Sequence, residues 1–142
     1  MMLIALLLAL MADAPVSGLP IDVLPKQALP AKGCAAYLFA KGETPAFVAM
    51  ASADPAQLRV SIGGAVTDVA RTGQNGGGGG YGFAGVTEYA GGGVTAVLDM
   101  KVEARADLKD GAAVRDATLR IDRIGKDSVV VAVVGIIGCA KA

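Results

Sequence analysis

Two cysteines, Cys34 and Cys139, are the residues whose chemistry the sequence specifies most directly. They lie at the two ends of the β-rich part of the chain, one opening its first strand-like segment and one closing its last. In a small exported domain, an even number of cysteines placed in this way is typical of a disulfide framework. We therefore predict one bridge between Cys34 and Cys139. Two buried free thiols are the alternative.

A glycine-rich stretch is the second candidate for chemistry. Residues 80–85 (GYGFAG) formally match the dinucleotide-binding pattern G-x-G-x-x-G. That pattern acts between a strand and a helix, whereas here a run of glycines precedes it and a β-like segment follows. We expect no nucleotide there. The segment 73–80 is predicted to be a glycine-rich loop, and the aromatic residues after it are a candidate recognition surface unless they fill the core. These residues are Tyr81, Phe83 and Tyr89.

The chain contains no His, and this removes the commonest catalytic arrangements. A Ser-His-Asp triad is impossible, and the most frequent metal ligand is missing as well. Residues 107–111 (DLKDG) lack the spacing of a calcium-binding loop. We predict no catalytic residue, no cofactor and no metal site, and expect a protein that is not an enzyme. The alternative is a small exported hydrolase using carboxylates or a Ser-Lys pair near the glycine-rich loop.

Charge argues against a nucleic-acid partner. The 142 residues carry 13 basic and 13 acidic side chains, and the two kinds are interleaved along the chain. A nucleic-acid interface needs a basic patch or stripe, which this distribution does not provide. We expect an unknown protein or an apolar ligand as the partner, and no nucleic acid.

The first residues predict export. Residues 3–11 (LIALLLALM) form an unbroken apolar run that is typical of a signal-peptide core. The run is too short to cross a membrane, which takes about 20 residues, so no integral membrane insertion is expected. We place cleavage after Ala12, so that residues 1–12 are the signal peptide of a periplasmic or secreted protein. No Lys or Arg precedes the run, and a buried N-terminal helix is the alternative.

Prolines mark the next segment, 13–32, as a linker or a strap. Four prolines recur every five residues, and three of them follow a Leu. Each proline fixes its own φ angle and favours an extended conformation in the residue before it. The segment is therefore predicted to be an extended tail, or a strap whose leucines lie in a groove on the domain. The residues are Pro15, Pro20, Pro25 and Pro30, with Leu19, Leu24 and Leu29.

The remaining residues, 33–142, predict one β domain of about eight strands. Segments rich in Val, Ile, Phe and Ala alternate with Gly, Pro and Asp. Gly63-Gly64 is typical of a hairpin turn, whereas Asp54-Pro55 is compatible with either a turn or the start of a short helix. The segments are 34–40, 46–52, 57–62, 65–70, 81–90, 93–106, 113–123 and 129–138.

The segment 93–123 predicts a long hairpin. Apolar and polar residues alternate along it, which puts Val102 on the core face and Lys101 on the solvent face. Asp110-Gly111 is a strong signal for a two-residue turn, and that turn sets the register. The predicted pairs are Val102–Leu119, Met100–Ile121, Ala104–Ala117 and Arg105–Asp116.

The last segment, 129–138, is apolar on both faces and has to be covered on both. Val129, Val131 and Val133 form one face; Val130, Ala132, Val134 and Ile136 form the other. We expect one face in the core and the other against the strap or a partner, with a homo-oligomer as one version. A bridge between the first and last strands favours an even strand number, because only then do they meet at one end. An antiparallel up-and-down barrel or rolled sheet is therefore predicted, with a β-sandwich as the alternative.

These features favour a non-enzymatic exported binding or structural module over an enzyme. The prediction depends on the missing catalytic motifs, the apolar last strand and the Leu-Pro segment. Fold alone does not assign a ligand.

Overall fold

A computed structural model describes residues 21–77, 79–108 and 110–140, which form a closed barrel of eight antiparallel strands. Every strand pairs with the next one in the chain, and β1 pairs with β8 to close the barrel. The predicted all-β up-and-down barrel is confirmed, and the β-sandwich is excluded. The strands are β1 (Cys34–Ala40), β2 (Ala46–Ala53), β3 (Ala56–Ile62), β4 (Ala65–Asn75), β5 (Val86–Gly91), β6 (Val94–Ala104), β7 (Gly111–Arg123) and β8 (Val129–Cys139).

The predicted disulfide is present at the seam where the barrel closes. Cys34 and Cys139 are direct partners in the β1–β8 ladder, with their Cα atoms 3.9 Å apart. An even number of antiparallel strands returns the chain to the end of the barrel from which it started. The first residue of β1 therefore meets the last residue of β8.

One apolar cluster fills the barrel interior. Successive side chains of a strand point to opposite faces, so every second residue points inwards. The inward-pointing residues are mostly Ala, Val, Leu, Ile and Met, as the sequence alternation predicted. The largest fully buried side chains of the cluster are Ile21, Leu38, Leu58, Leu98, Met100, Leu119, Ile121, Val48, Val60, Val69 and Val114.

The β6–β7 hairpin has the predicted faces but not the predicted register. Met100 pairs with Ala117 and not with Ile121, a shift of four residues, and beyond the irregularity between Lys101 and Val102 the shift becomes five. The prediction was wrong because Asp110-Gly111 is not a two-residue turn: β6 ends at Ala104, and Gly111 already belongs to β7. The even shift over residues 94–101 leaves each of those side chains on its predicted face. Beyond Lys101 the shift is odd, and the bulge keeps Val102 and Val114 turned towards the core. The observed pairs are Leu98–Leu119, Ala96–Ile121, Val102–Val114, Ala104–Ala112 and Lys101–Asp116.

The connection between β4 and β5 also differs from the prediction. β4 extends to Asn75 and β5 begins at Val86, so the strand predicted over 81–90 was wrong in its first half. Tyr81 and Gly82 have φ angles of +59° and +90°, which an extended strand does not contain. They form a tight turn in which Gly80 and Phe83 exchange two backbone hydrogen bonds of 2.9 and 3.0 Å.

The two other uncertain connections are turns. Gly63 and Gly64, with φ angles of +59° and +80°, join β3 to β4 as predicted. Asp54-Pro55 joins β2 to β3 directly, so the alternative of a short helix there is wrong. Both connections are two residues long, and this keeps β2, β3 and β4 adjacent in the barrel wall.

The two faces of β8 are divided as the sequence predicted. Val131, Val133 and Ile137 are buried in the interior cluster. Val130 and Ile136 on the outer face are 62% and 52% exposed. Because β8 pairs with both β1 and β7, its backbone is not an open edge, and only its outer side chains are available to a ligand or partner.

We call residues 21–32 of the Pro-spaced segment the strap. Ile21 at its start packs into the interior cluster, and the residues after it run along the outer wall. The β2–β3 ladder ends at the pair Ala49–Val60, and the strap bonds to the backbone beyond that point. Asp22 N–H donates to the Ser61 carbonyl oxygen at 2.9 Å. Leu24 is only 2% exposed and packs on the outer faces of β1 and β2, whereas Leu29 is 60% exposed. Leu19 lies outside the described residues.

Candidate functional site: a groove on the outer wall

The three aromatic residues predicted as a recognition surface do not share one surface. Phe83 and Tyr89 are 8% and 2% exposed and belong to the interior cluster, which is the alternative that the sequence left open. Tyr81 is 37% exposed at the turn before β5. Burial raises the pKa of Tyr89 to about 12, while a hydrogen bond with Thr87 and the charge of Arg71 act weakly in the opposite direction.

An apolar concavity lies outside the barrel, over β1, β2, β7 and β8. It consists of two adjoining cavities of about 460 and 640 Å³ that share Phe39 and Ile136 as lining residues. We call the pair of cavities the outer groove. The first cavity is lined by Leu24, Lys26, Gln27, Tyr37, Phe39, Phe47 and Ile136, and the second by Phe39, Arg105, Ala113, Val114, Arg115, Val134, Gly135 and Ile136.

Strand alternation explains the aromatic floor of the outer groove. In β1 the inward positions belong to Ala36 and Leu38, so Tyr37 and Phe39 point outwards. Phe39 pairs with Phe47 of β2, and their ring centroids are 5.2 Å apart with planes tilted by 34°. Aromatic pairs at such distances attract one another beyond their area of contact. The floor is therefore fixed by β1 and β2 together.

The strap forms one wall of the outer groove, and specific hydrogen bonds hold it there. The Tyr37 hydroxyl donates to the Ala28 carbonyl oxygen at 2.8 Å. Arg59 donates from its Nη1 to Gln27 Oε1 at 2.7 Å while its other nitrogens bind the Asp68 carboxylate at 2.7 and 3.0 Å. The hydrogen bond to Asp68 raises the pKa of Arg59. Partial burial under the strap likewise raises the pKa of Tyr37.

The charged residues along the outer groove are all cations. Lys26 lies at the strap wall, and Arg105 and Arg115 lie at the opposite end; no Asp or Glu of the described residues lines either cavity. Arg115 Nε is 3.1 Å from Glu103, and Arg105 binds Asp107 with two contacts of 3.0 and 2.8 Å. Both pairs are about half exposed to solvent, and such pairs contribute little to stability.

Two acidic side chains and a lysine also line a shallow depression away from the outer groove. Asp99, Lys101 and Asp116 line a cavity of about 150 Å³ on the outer face of β6 and β7. Asp116 is 76% exposed and its carboxylate lies 3.7 Å from Lys41 Nζ. The depression is small, and its charged groups are exposed to solvent.

The comparisons with known proteins found no similarity: no family model, no curated protein and no solved structure matches the chain. Within the described residues, no three acidic or sulfur side chains come together as metal ligands. No helix in the same ranges is long and apolar enough to cross a membrane.

Sequence reasoning missed the outer groove, although one signal for it was present. The apolar outer face of β8 was predicted to need a cover, and Ile136 of that face lines both cavities. The contribution of Phe39 and Phe47 was not foreseen. The strap brings the apolar side chains of this surface together, because Leu24 packs beside Phe47 and forms one wall of the first cavity.

Proposed function

We propose that this protein is an exported, non-enzymatic binding module that takes an apolar ligand in the outer groove. The observation that carries the proposal is the exposure of Ile136. This side chain lies in the wall of a well-packed barrel, yet it is 52% exposed and lines both apolar cavities. Ligand sites are typically concave, apolar and about 300–1,000 Å³ in volume, and each of the two cavities of the outer groove falls in this range. The barrel interior is occupied by the protein's own side chains.

Two observations support export. The Cys34–Cys139 bridge is compatible with an oxidising compartment, where disulfides form and persist. Residues 3–11 have the composition of a signal-peptide core, and they lie outside the described residues. Mass spectrometry of the protein purified from its native host provides the test. We expect a chain that lacks residues 1–12 and has one disulfide; an intact N-terminus in the cytosol contradicts export.

The binding proposal is tested with Nile red, a neutral dye that fluoresces in apolar surroundings. The test protein is the mature chain with its disulfide formed. Ile136→Asp places a charge inside the outer groove, whereas Val130→Asp places the same charge on the same outer face of β8, outside both cavities. Val130 is the more exposed of the two, at 62%, so the control tolerates the charge at least as well.

We expect Nile red to bind the wild-type protein and the Val130→Asp variant, and to bind Ile136→Asp at least about tenfold more weakly, because a buried charge opposes an apolar ligand. Circular dichroism shows whether each variant is folded. Equal dye binding by all three proteins contradicts the proposal. A wild-type dimer in sedimentation that Ile136→Asp dissociates also contradicts it, because the groove would then be an interface between copies.

A further inference from the structure

We infer that the ligand of the outer groove is a free, single-chain amphiphile with an anionic head, bound with the head at Arg105 and Arg115. This inference rests on the proposed function and adds the class of ligand. The inference depends on two features of the outer groove. Its floor is aromatic and aliphatic, and the charged side chains among its described lining residues are all cations. An apolar chain alone would not need those cations, and an anion alone would not need that floor.

The cations of the outer groove lie next to its apolar floor. Arg105 and Arg115 line the same cavity as Phe39 and Ile136, and the floor continues from these two residues to Phe47 and Leu24 in the first cavity. A single alkyl chain lying along this floor has its head at the arginine end. A guanidinium group binds carboxylate and phosphate oxygens through paired hydrogen bonds, so two arginines at one end suit an anionic head.

The existing ion pairs of the two arginines leave them available. Arg115 Nε lies 3.1 Å from the Glu103 carboxylate, and the side chains are 64% and 53% exposed. Arg105 and Asp107 are 45% and 62% exposed. Ion pairs this exposed gain little from one another in water, so an anionic head that also brings apolar contacts competes with them. Lys26, at the other end of the groove, has the strap and not the second cavity beside it.

The probes for the test are laurate, dodecyl maltoside and dodecyltrimethylammonium, which share one alkyl chain and carry an anionic, a neutral and a cationic head. Each is titrated below its micelle concentration against the oxidised mature protein, by displacement of Nile red. We expect laurate to bind most tightly and dodecyltrimethylammonium most weakly, with about a tenfold difference between these two. Salt should reduce that difference, because the arginines are exposed.

Variants assign the head to one end of the groove. Arg115→Gln, and more strongly the Arg105→Gln/Arg115→Gln pair, should weaken laurate about fivefold to tenfold and leave dodecyl maltoside unchanged. Lys126→Gln removes the same charge from the β7–β8 turn, away from the groove, and should leave the affinity for all three probes unchanged. A loss of laurate preference in Lys26→Gln, with the arginine variants unaffected, overturns the assignment.

The outcomes separate this inference from the proposed function. If the three probes bind equally and Ile136→Asp weakens all of them, the groove binds apolar chains but the anionic head is refuted. If none of them binds and Nile red is also silent, both proposals fail. If the protein binds phosphatidylglycerol vesicles but not monomeric laurate, the inferred free ligand is wrong and a membrane surface is the partner.

Discussion

The backbone N–H of Leu24 donates a hydrogen bond of 2.7 Å to the carbonyl oxygen of Phe47, at the point where β2 is no longer paired with β3. The strap therefore takes the place of a missing ladder partner. It also places the Leu24 side chain against Phe47, so that one contact completes the barrel wall and forms a side of the outer groove. The Pro-spaced segment is consequently more than a tail over residues 21–32.

The two strap leucines give a matched test of this contact. Leu24→Ala should destabilise the protein by about 2–4 kcal/mol, because Leu24 is 2% exposed and its removal leaves a cavity. Leu29→Ala should cost less than about 1 kcal/mol, because that side chain is 60% exposed. Urea unfolding measures both. Equal losses would contradict the packing of the strap on β1 and β2.

Replacing Gly135 of β8 by a residue with a Cβ atom should destabilise the barrel. A Cβ atom there would overlap the carbonyl oxygen of Tyr37 and lie 3.2 Å from the Cα of Leu38. Gly135→Ala must therefore push β1 away from β8 and should cost about 1–3 kcal/mol or more. Gly42→Ala is the control, because the nearest atom to its Cβ is a carbonyl oxygen at 3.9 Å. If thermal unfolding shows the same midpoint for both variants, the close approach of β1 and β8 is wrong.

The buried Tyr89 hydroxyl should make stability fall at high pH. Its pKa is raised to about 12 in the folded protein, against about 10 in the unfolded chain. The resulting stabilisation, about 2–3 kcal/mol, is complete below about pH 10 and is lost as the pH rises from there through about 12. Tyr89→Phe should show a smaller decrease in unfolding free energy over this range. Parallel pH profiles for the two proteins would contradict the prediction.

Loss of either cysteine should destabilise the protein as much as loss of both, because either change removes the same disulfide. Cys34→Ser and Cys139→Ser should each cost about 4–5 kcal/mol on the chain-entropy account, since the bridge spans 105 positions. The double variant should be no less stable than either single variant, because all three lack the same bond. Denaturant unfolding under oxidising conditions measures this. A double variant clearly worse than both singles would mean that the cysteines stabilise the barrel by separate contacts.

Much of the barrel was predictable because it depends on local pattern and on chain order. The period-two alternation of β6 identified Met100 as an interior residue and Lys101 as an exposed one. The cysteines at the two ends, together with an even number of strands, predicted the closing contact of β1 with β8. These inferences need no knowledge of how distant segments pack.

The register and the turns were less predictable, because they depend on contacts that local pattern does not contain. Asp110-Gly111 resembles a tight turn. The Asp110 carbonyl oxygen, however, accepts a 3.0 Å hydrogen bond from Cys139 N–H, so Asp110 is bonded to the last residue of β8. Over residues 94–101 the shift is four residues, and an even shift keeps each side chain on its face, so alternation alone could not distinguish the two registers there.

The sequence by itself determined an all-β chain with eight strands, one bridge and a division of β8 into an inner and an outer face. Only the tertiary structure decided that Leu24, Phe39, Phe47 and Ile136 lie together on the outer wall. These residues come from the strap and from three strands, and each reads locally as an ordinary apolar position. Their proximity follows from barrel closure and from the docking of the strap, which are determined by packing between segments far apart in the chain.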